Sequence, residues 1–284
     1  MLLGVASSAL ATTDWSYTTT NRDWFNPANW DDSGAVQPVP QPIPTAATEV
    51  RTHASYGAPY AYTAIIAAGS PYNPSELPAV ASVINIGGNA NSYVTPQFPR
   101  GQLTINSGTL TVGNGIRVGG SSSSIRSGEF YVNGGVVNSP VYLAVGYGPG
   151  GGGNSGWMYM TDGIVNVGQF DIVRIAGTTT GINGYAYISG GTINATDLRM
   201  KPAGGTGTAL LDITGSGKIV ITGDKVATIQ GYIDNGWIKT NGVAWEDYSL
   251  VSYDAGTNKT TLIPEPATIC LLGIGALSLL RRRK

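Results

Sequence analysis

Five carboxylates are the only acids between Gly101 and Gly223: Glu129, Asp162, Asp171, Asp197 and Asp212. Acid–base cleavage of a glycosidic bond needs two such groups brought to one site. Asp171 and Asp197 come nearest to that, because both lie beside the third short strand of their repeats, and Arg174 and Arg199 follow them. A carboxylate so close to a guanidinium reads first as an ion pair and only second as a catalytic dyad. The single His53 stands outside this stretch, just after Arg51, and the single Cys270 lies in an apolar run. One cysteine excludes an intrachain disulfide and a cysteine-based metal site. No catalytic residue, metal or cofactor is therefore expected. Material for binding is more plentiful. Tyr131, Tyr159 and Tyr187 recur 28 residues apart, as do Asn138, Asn166 and Asn194. Arg117, Arg174 and Arg199 form a third series, interrupted by Ala144. Exposed tyrosine rings can stack on sugars, and a guanidinium grips a carboxylate or sulfate through two parallel hydrogen bonds. The competing explanation is structural, since identical side chains stacked along a ladder stabilise each other.

Columns of this kind require a scaffold that repeats. Leu103–Val112, Phe130–Asn138, Met158–Val167, Ala186–Ala195 and Leu211–Ile221 align on the glycines 108, 135, 163, 191 and 217, spaced 27, 28, 28 and 26 apart. Each unit reads as two strands of period-two alternation around a Gly-rich corner. A third short strand follows: Ile116–Val118, Leu143–Val145, Val173–Ile175 and Leu198–Met200. Three short strands in about 27 residues write one coil of a parallel β-helix, each coil pairing with the next at about 4.8 Å. The predicted inward column is Leu103/Ile105, Phe130/Val132, Met158/Met160, Ala186/Ile188 and Leu211/Ile213, and an earlier, degenerate coil contains Val83–Gly87. A β-propeller is the structural alternative, but its blades need about 40 residues and four strands.

The flanks read as covers and addresses. Trp15, Trp24 and Trp30 precede a Pro-rich run at 37–44, and Tyr232–Ile238 reads as a closing element before the strand pair Tyr248–Tyr253 and Lys259–Leu262. At the N-terminus an apolar stretch ends in Ala9-Leu10-Ala11, a small-x-small pattern for signal-peptide cleavage. It lacks a basic segment before it, so the true start is expected upstream. At the other end, Ile263-Pro264-Glu265-Pro266 precedes fourteen uncharged residues, Ala267–Leu280, and then Arg281, Arg282, Arg283 and Lys284. As a helix those fourteen cover about 21 Å, short of the ~30 Å hydrocarbon core. Counting from Ile263 and letting the cations snorkel makes a span, with the basic end cytoplasmic.

This order of Pro-Glu-Pro, apolar helix and basic end resembles the PEP-CTERM sorting domain. The resemblance implies that an exosortase, a membrane cysteine transpeptidase, recognises Pro264, Glu265 and Pro266 and removes the helix. The passenger then reaches the cell surface or an extracellular polysaccharide matrix. The segment Asp23–Trp30 is similar to the opening of autotransporter-like β-helix passengers.

The expectation is an all-β, right-handed parallel β-helix (solenoid) of about five to six coils with a C-terminal transmembrane sorting helix. Its parts are a signal peptide at 1–11, an N-terminal cap at 12–82, repeats at 83–223, a C-terminal cap at 224–262 and the sorting signal at 263–284. The net charge of −1 gives no push toward nucleic acid. The function expected is that of a non-enzymatic protein of the cell envelope, surface or matrix, possessing exosortase as a partner and exopolysaccharide as a candidate ligand. Tyr131, Tyr159, Tyr187, Arg117, Arg174 and Arg199 are its candidate glycan face. The alternatives are a polysaccharide-degrading β-helix lyase or hydrolase, or an adhesin for another cell.

Overall fold

A computed structural model of the chain describes residues 11–15, 22–31, 43–52, 63–87, 101–120, 127–148, 154–175, 181–202, 205–244 and 251–264. Strands occur in the order β1 (Ala11–Trp15), β2 (Trp30–Asp31), β3 (Thr48–Thr52), β4 (Thr63–Ile66), β5 (Ala79–Ile86), β6 (Gly101–Ile105), β7 (Thr109–Val118) and β8 (Ser127–Val132). They continue as β9 (Val136–Gly148), β10 (Ser155–Met160), β11 (Ile164–Ile175), β12 (Asn183–Ile188), β13 (Thr192–Arg199), β14 (Ala209–Ile213) and β15 (Lys218–Thr222). The helix α1 (Val226–Asp234) then leads into β16 (Ile238–Thr240), β17 (Val243–Ala244), β18 (Val251–Asp254) and β19 (Lys259–Leu262).

Even-numbered strands from β4 to β14 stack in parallel on one sheet, and odd-numbered strands from β1 to β15 stack in parallel on the other. The result is a parallel β-solenoid of about five turns. Alternation drives it: the predicted inward residues Leu103, Ile105, Phe130, Val132, Met158, Met160, Ala186, Ile188, Leu211 and Ile213 are all fully buried. The turn between the two sheets requires glycine. Gly135 has φ +73°, and a Cβ there would lie 2.5 Å from the Gly108 carbonyl oxygen of the turn below. In the fifth repeat, which carries an extra residue, the left-handed position falls on Gly215 rather than on the aligned Gly217.

The coil has two hydrogen-bonded strands where the sequence suggested three. The second and third predicted strands run together as single long strands, β7, β9, β11 and β13, which change direction without leaving the ladder. At the bend the inward alternation skips: Val112 is followed inward by Ile116, whereas Val167 is followed by Phe170. The bend is therefore one residue shorter on β11 than on β9, and the register shifts between Val167 and Gln169. Parallel pairing also extends below residue 83, through β1, β3 and β5.

Both ends are covered. Trp15 and Trp24 pack edge-on against Trp30 at centroid distances of 4.8 and 4.7 Å, and Trp30 Nε1 donates to the Trp24 carbonyl at 2.7 Å. Residues 22–24 hydrogen-bond along the outer edge of β4. At the other end α1 buries Ile229 and Ile233, and β19 pairs antiparallel with β15 and with β18. Among the described residues no helix is long and apolar enough to cross a membrane. The expected sorting helix lies outside the described residues, as do Ala9, Glu265, Pro266, Arg281, Arg282, Arg283, His53 and Cys270. Ala11 opens β1, and Pro264 is buried at the end of the described chain.

Candidate binding faces

The solenoid turns three outward surfaces to its surroundings: the even-numbered strands, the first half of the long strands, and their second half beyond the bend. Tyr131, Tyr159 and Tyr187 fall in register on β8, β10 and β12. Their rings stack at 5.0 and 5.3 Å with planes 16° and 9° apart. Trp157 and Tyr185 form a second stack beside them at 5.5 Å. The sequence reading missed this second column, although its signal was available two residues before Tyr159 and Tyr187. Glu129 accepts hydrogen bonds from Tyr131 Oη at 2.8 Å and from Gln102 Nε2. Burial, with Tyr185 and Asp212 nearby, pushes the Tyr187 phenol above its ordinary range.

The asparagines occupy the second surface. Asn166 Nδ2 donates to Asn138 Oδ1, and Asn194 Nδ2 donates to Asn166 Oδ1, both at 2.9 Å. Each side-chain amide thus bonds along the stack. The ladder offsets the polarity of half-buried amides on a β surface.

The arginine series does not hold as a single column. The in-register residues are Arg117, Ala144, Asp171 and Arg199. Arg174 pairs with Tyr147 instead, three residues beyond the position expected of it. Phe170 and Ile172 take the inward places opposite Leu143 and Val145, so Arg174 falls beyond the segment it was aligned with. Val173 then adopts φ +69°, opposite the left-handed Gly146 of the turn below. The tyrosine and arginine columns also stand on different sheets, so they do not make one continuous face.

Arg174 nonetheless reaches back. Its Nη1 donates to Asp171 Oδ2 at 2.6 Å and to Gln169 Oε1 at 3.0 Å, and its guanidinium lies 4.2 Å from the Tyr142 ring centroid. Arg117 Nε donates to Tyr142 Oη at 2.6 Å, with its guanidinium 4.9 Å from the Tyr147 ring. Tyr142 can lie flat because the position beneath it is Gly115, where a Cβ would sit 2.6 Å from the ring. Together Tyr142, Ala144 and Tyr147 make a small second apolar cluster outside the main core.

Asp171 and Asp197 behave oppositely. Burial pushes Asp171 above the usual carboxylate range despite the hydrogen bond from Arg174, and its Oδ1 has no partner among the described residues. Burial also acts to raise Asp197, but hydrogen bonds from Arg199 and Lys225 outweigh it and hold the group low. The distances are 2.9 Å to Arg199 Nε and 3.1 Å to Lys225 Nζ. Among the described residues no three His, Cys, Asp or Glu side chains gather where they could hold a metal ion.

Residues 262–284 match the PEP-CTERM protein-sorting motif. No curated protein and no solved structure matches the chain. The motif marks the chain for export through an exosortase system and for association with the cell envelope.

Proposed function

We propose that this exported chain is a non-enzymatic structural protein that holds exopolysaccharide at the cell surface or in the surrounding matrix. The observation that carries the reading is a sorting motif at 262–284 attached to a solenoid whose outward groups are organised as repeating ladders and ion pairs. A matrix address suits a protein that presents long lateral faces. The carboxylates best placed for acid–base work support a binding role: Asp171 is engaged by Arg174, and Asp197 by Arg199 and Lys225. A carboxylate held low by two cations is a weak general base. Before processing, the apolar segment after Pro266 anchors the chain in the membrane, and exosortase is the partner that releases it.

The test uses full-length protein and acidic polysaccharides. Retention of the polymer without shortening is the expected result. Appearance of new reducing or unsaturated ends would overturn the non-enzymatic reading in favour of a lyase or hydrolase. In producing cells, deleting residues 262–284 should abolish display at the surface, and undiminished display would remove the role assigned to the motif.

A further inference from the structure

The bend between the second and third surfaces carries a groove. On β9 the bend is made by two exposed residues, Pro140 and Val141, whereas only Gly168 faces them on β11. Losing one residue leaves Pro140 and Val141 as a ledge over the next turn. No side chain fits beneath it, because a Cβ on Gly168 would lie 2.2 Å from the Pro140 carbonyl oxygen. The open groove measures about 550 Å³ and runs from this ledge past Gln169 and Thr196 to Asp197, Arg199 and Lys225.

Charge and free donors decide what fits there. Asp197 serves two cations at once, so one positive charge is left over at the groove. The Arg199 side chain is 53% exposed and the Lys225 side chain 34%, which puts both heads within reach of a ligand. Arg199 engages Asp197 through Nε, and its two Nη groups have no partner among the described residues. That free end is the fork that grips a planar carboxylate through two parallel hydrogen bonds. Gln169 accepts from Arg174 through Oε1, which leaves its amide N–H groups for a neutral acceptor, and the Thr196 hydroxyl is exposed. Neutral donors beside one surplus cation match a polymer with spaced carboxylates and many hydroxyls. They match a dense run of phosphates poorly, because Asp171 and Asp197 would repel it.

We infer that this groove binds a carboxylate-bearing sugar of an acidic polysaccharide, with Arg199 and Lys225 on the carboxylate and Gln169 and Thr196 on neighbouring hydroxyls. The inference rests on the polysaccharide-binding reading above and gives it a site and a ligand class.

The experiment measures binding of full-length protein to polygalacturonate, to the same polymer with its carboxyls reduced, and to duplex DNA. Polygalacturonate should bind at least about tenfold tighter than the reduced polymer, and the double variant Arg199→Gln/Lys225→Gln should lose about that factor. Arg199→Lys keeps the charge and the Asp197 partner but not the fork, so it should weaken binding several-fold without loss of folding. Equal binding of both polymers, with variants like wild type, overturns this site while leaving polysaccharide binding intact. Failure to bind either polymer removes both readings. DNA bound as tightly as polygalacturonate overturns the assignment to a sugar carboxylate.

Discussion

Replacing Arg174 by glutamine exposes how the third surface is held together. Asp171 is 2% exposed, its Oδ2 is held by Arg174 at 2.6 Å, and its Oδ1 is already unpartnered among the described residues. Removing the guanidinium leaves a buried carboxylate without a counter-charge at that contact. Breaking a buried pair costs about 3–5 kcal/mol, and breaking an exposed one less than about 1 kcal/mol. The Arg174 side chain is 32% exposed, so the expected loss lies between these limits, at about 2–3 kcal/mol. The lost contact with the Tyr142 ring adds up to about 1 kcal/mol.

The sign of the pH dependence follows from the same burial. Asp171 already sits above its ordinary value of 3.8, and without Arg174 it rises further. The folded variant then holds a proton that the unfolded chain releases. Stability lost at neutral pH therefore returns as the pH falls through the raised folded value toward 3.8. Urea unfolding followed by circular dichroism at neutral and mildly acidic pH reads the effect, and amide exchange in β11 reads it locally. The double variant Asp171→Asn/Arg174→Gln has no charge to strand and should recover most of the loss. A neutral-pH loss below about 0.5 kcal/mol, or a double variant as unstable as the single one, would refute the reasoning.

Asn166→Ala removes one donated and one accepted amide bond from the middle of the asparagine ladder. It should lower unfolding stability by about 1–2 kcal/mol, more than the same change at Asn138, which has only one ladder bond with these neighbours. Gly168→Ala forces a Cβ to within 2.2 Å of the Pro140 carbonyl oxygen, so a loss of about 1–3 kcal/mol in urea melts is expected. Asp197 is held below its ordinary 3.8, so its contribution is present above that pH and disappears as the pH falls through the lowered value. Acid titration of Asp197→Asn should therefore show a shallower decline of stability than wild type in that acidic window.

Straight segments were legible in the sequence and bends were not. The inward pairs from Leu103/Ile105 to Leu211/Ile213 follow strict alternation, and the Tyr and Asn columns lie at fixed offsets from a turn glycine on those straight runs. The arginines lie past the bend, where chain length varies by one residue between turns. Matching the apolar-Arg-apolar triplets of neighbouring repeats, without counting from Gly163, put Val173 where Phe170 belongs. The spacing of Phe170 and Ile172, a large apolar residue and its partner two positions on, was the available signal. Nothing in the sequence signals that Tyr142 lies flat, because that depends on Gly115 of the preceding turn. Lys225 escaped notice for a similar reason: it comes from the C-terminal cap and reaches Asp197 only once the last turns are stacked.

The ends of the solenoid bear on where a ligand can attach. A further parallel turn can stack only on a terminal strand whose outer edge is unpaired. Here β2 reverses on β1 at one end, while β19 reverses on β15 and β17 on β16 at the other. Such reversals blunt the edges that would otherwise template another chain. Under the proposed function, contact with a matrix falls to the lateral surfaces, which differ in what their side chains already do. Tyrosine rings face one another on the first, and amides bond one another on the second. On the third, the carboxylates Asp171 and Asp197 pair with Arg174, Arg199 and Lys225, and Arg117 on the same surface meets Tyr142. The surplus cation at Asp197 is the feature an acidic polymer can neutralise, and the proposed attachment point therefore lies on the side that the repeat pattern described least well.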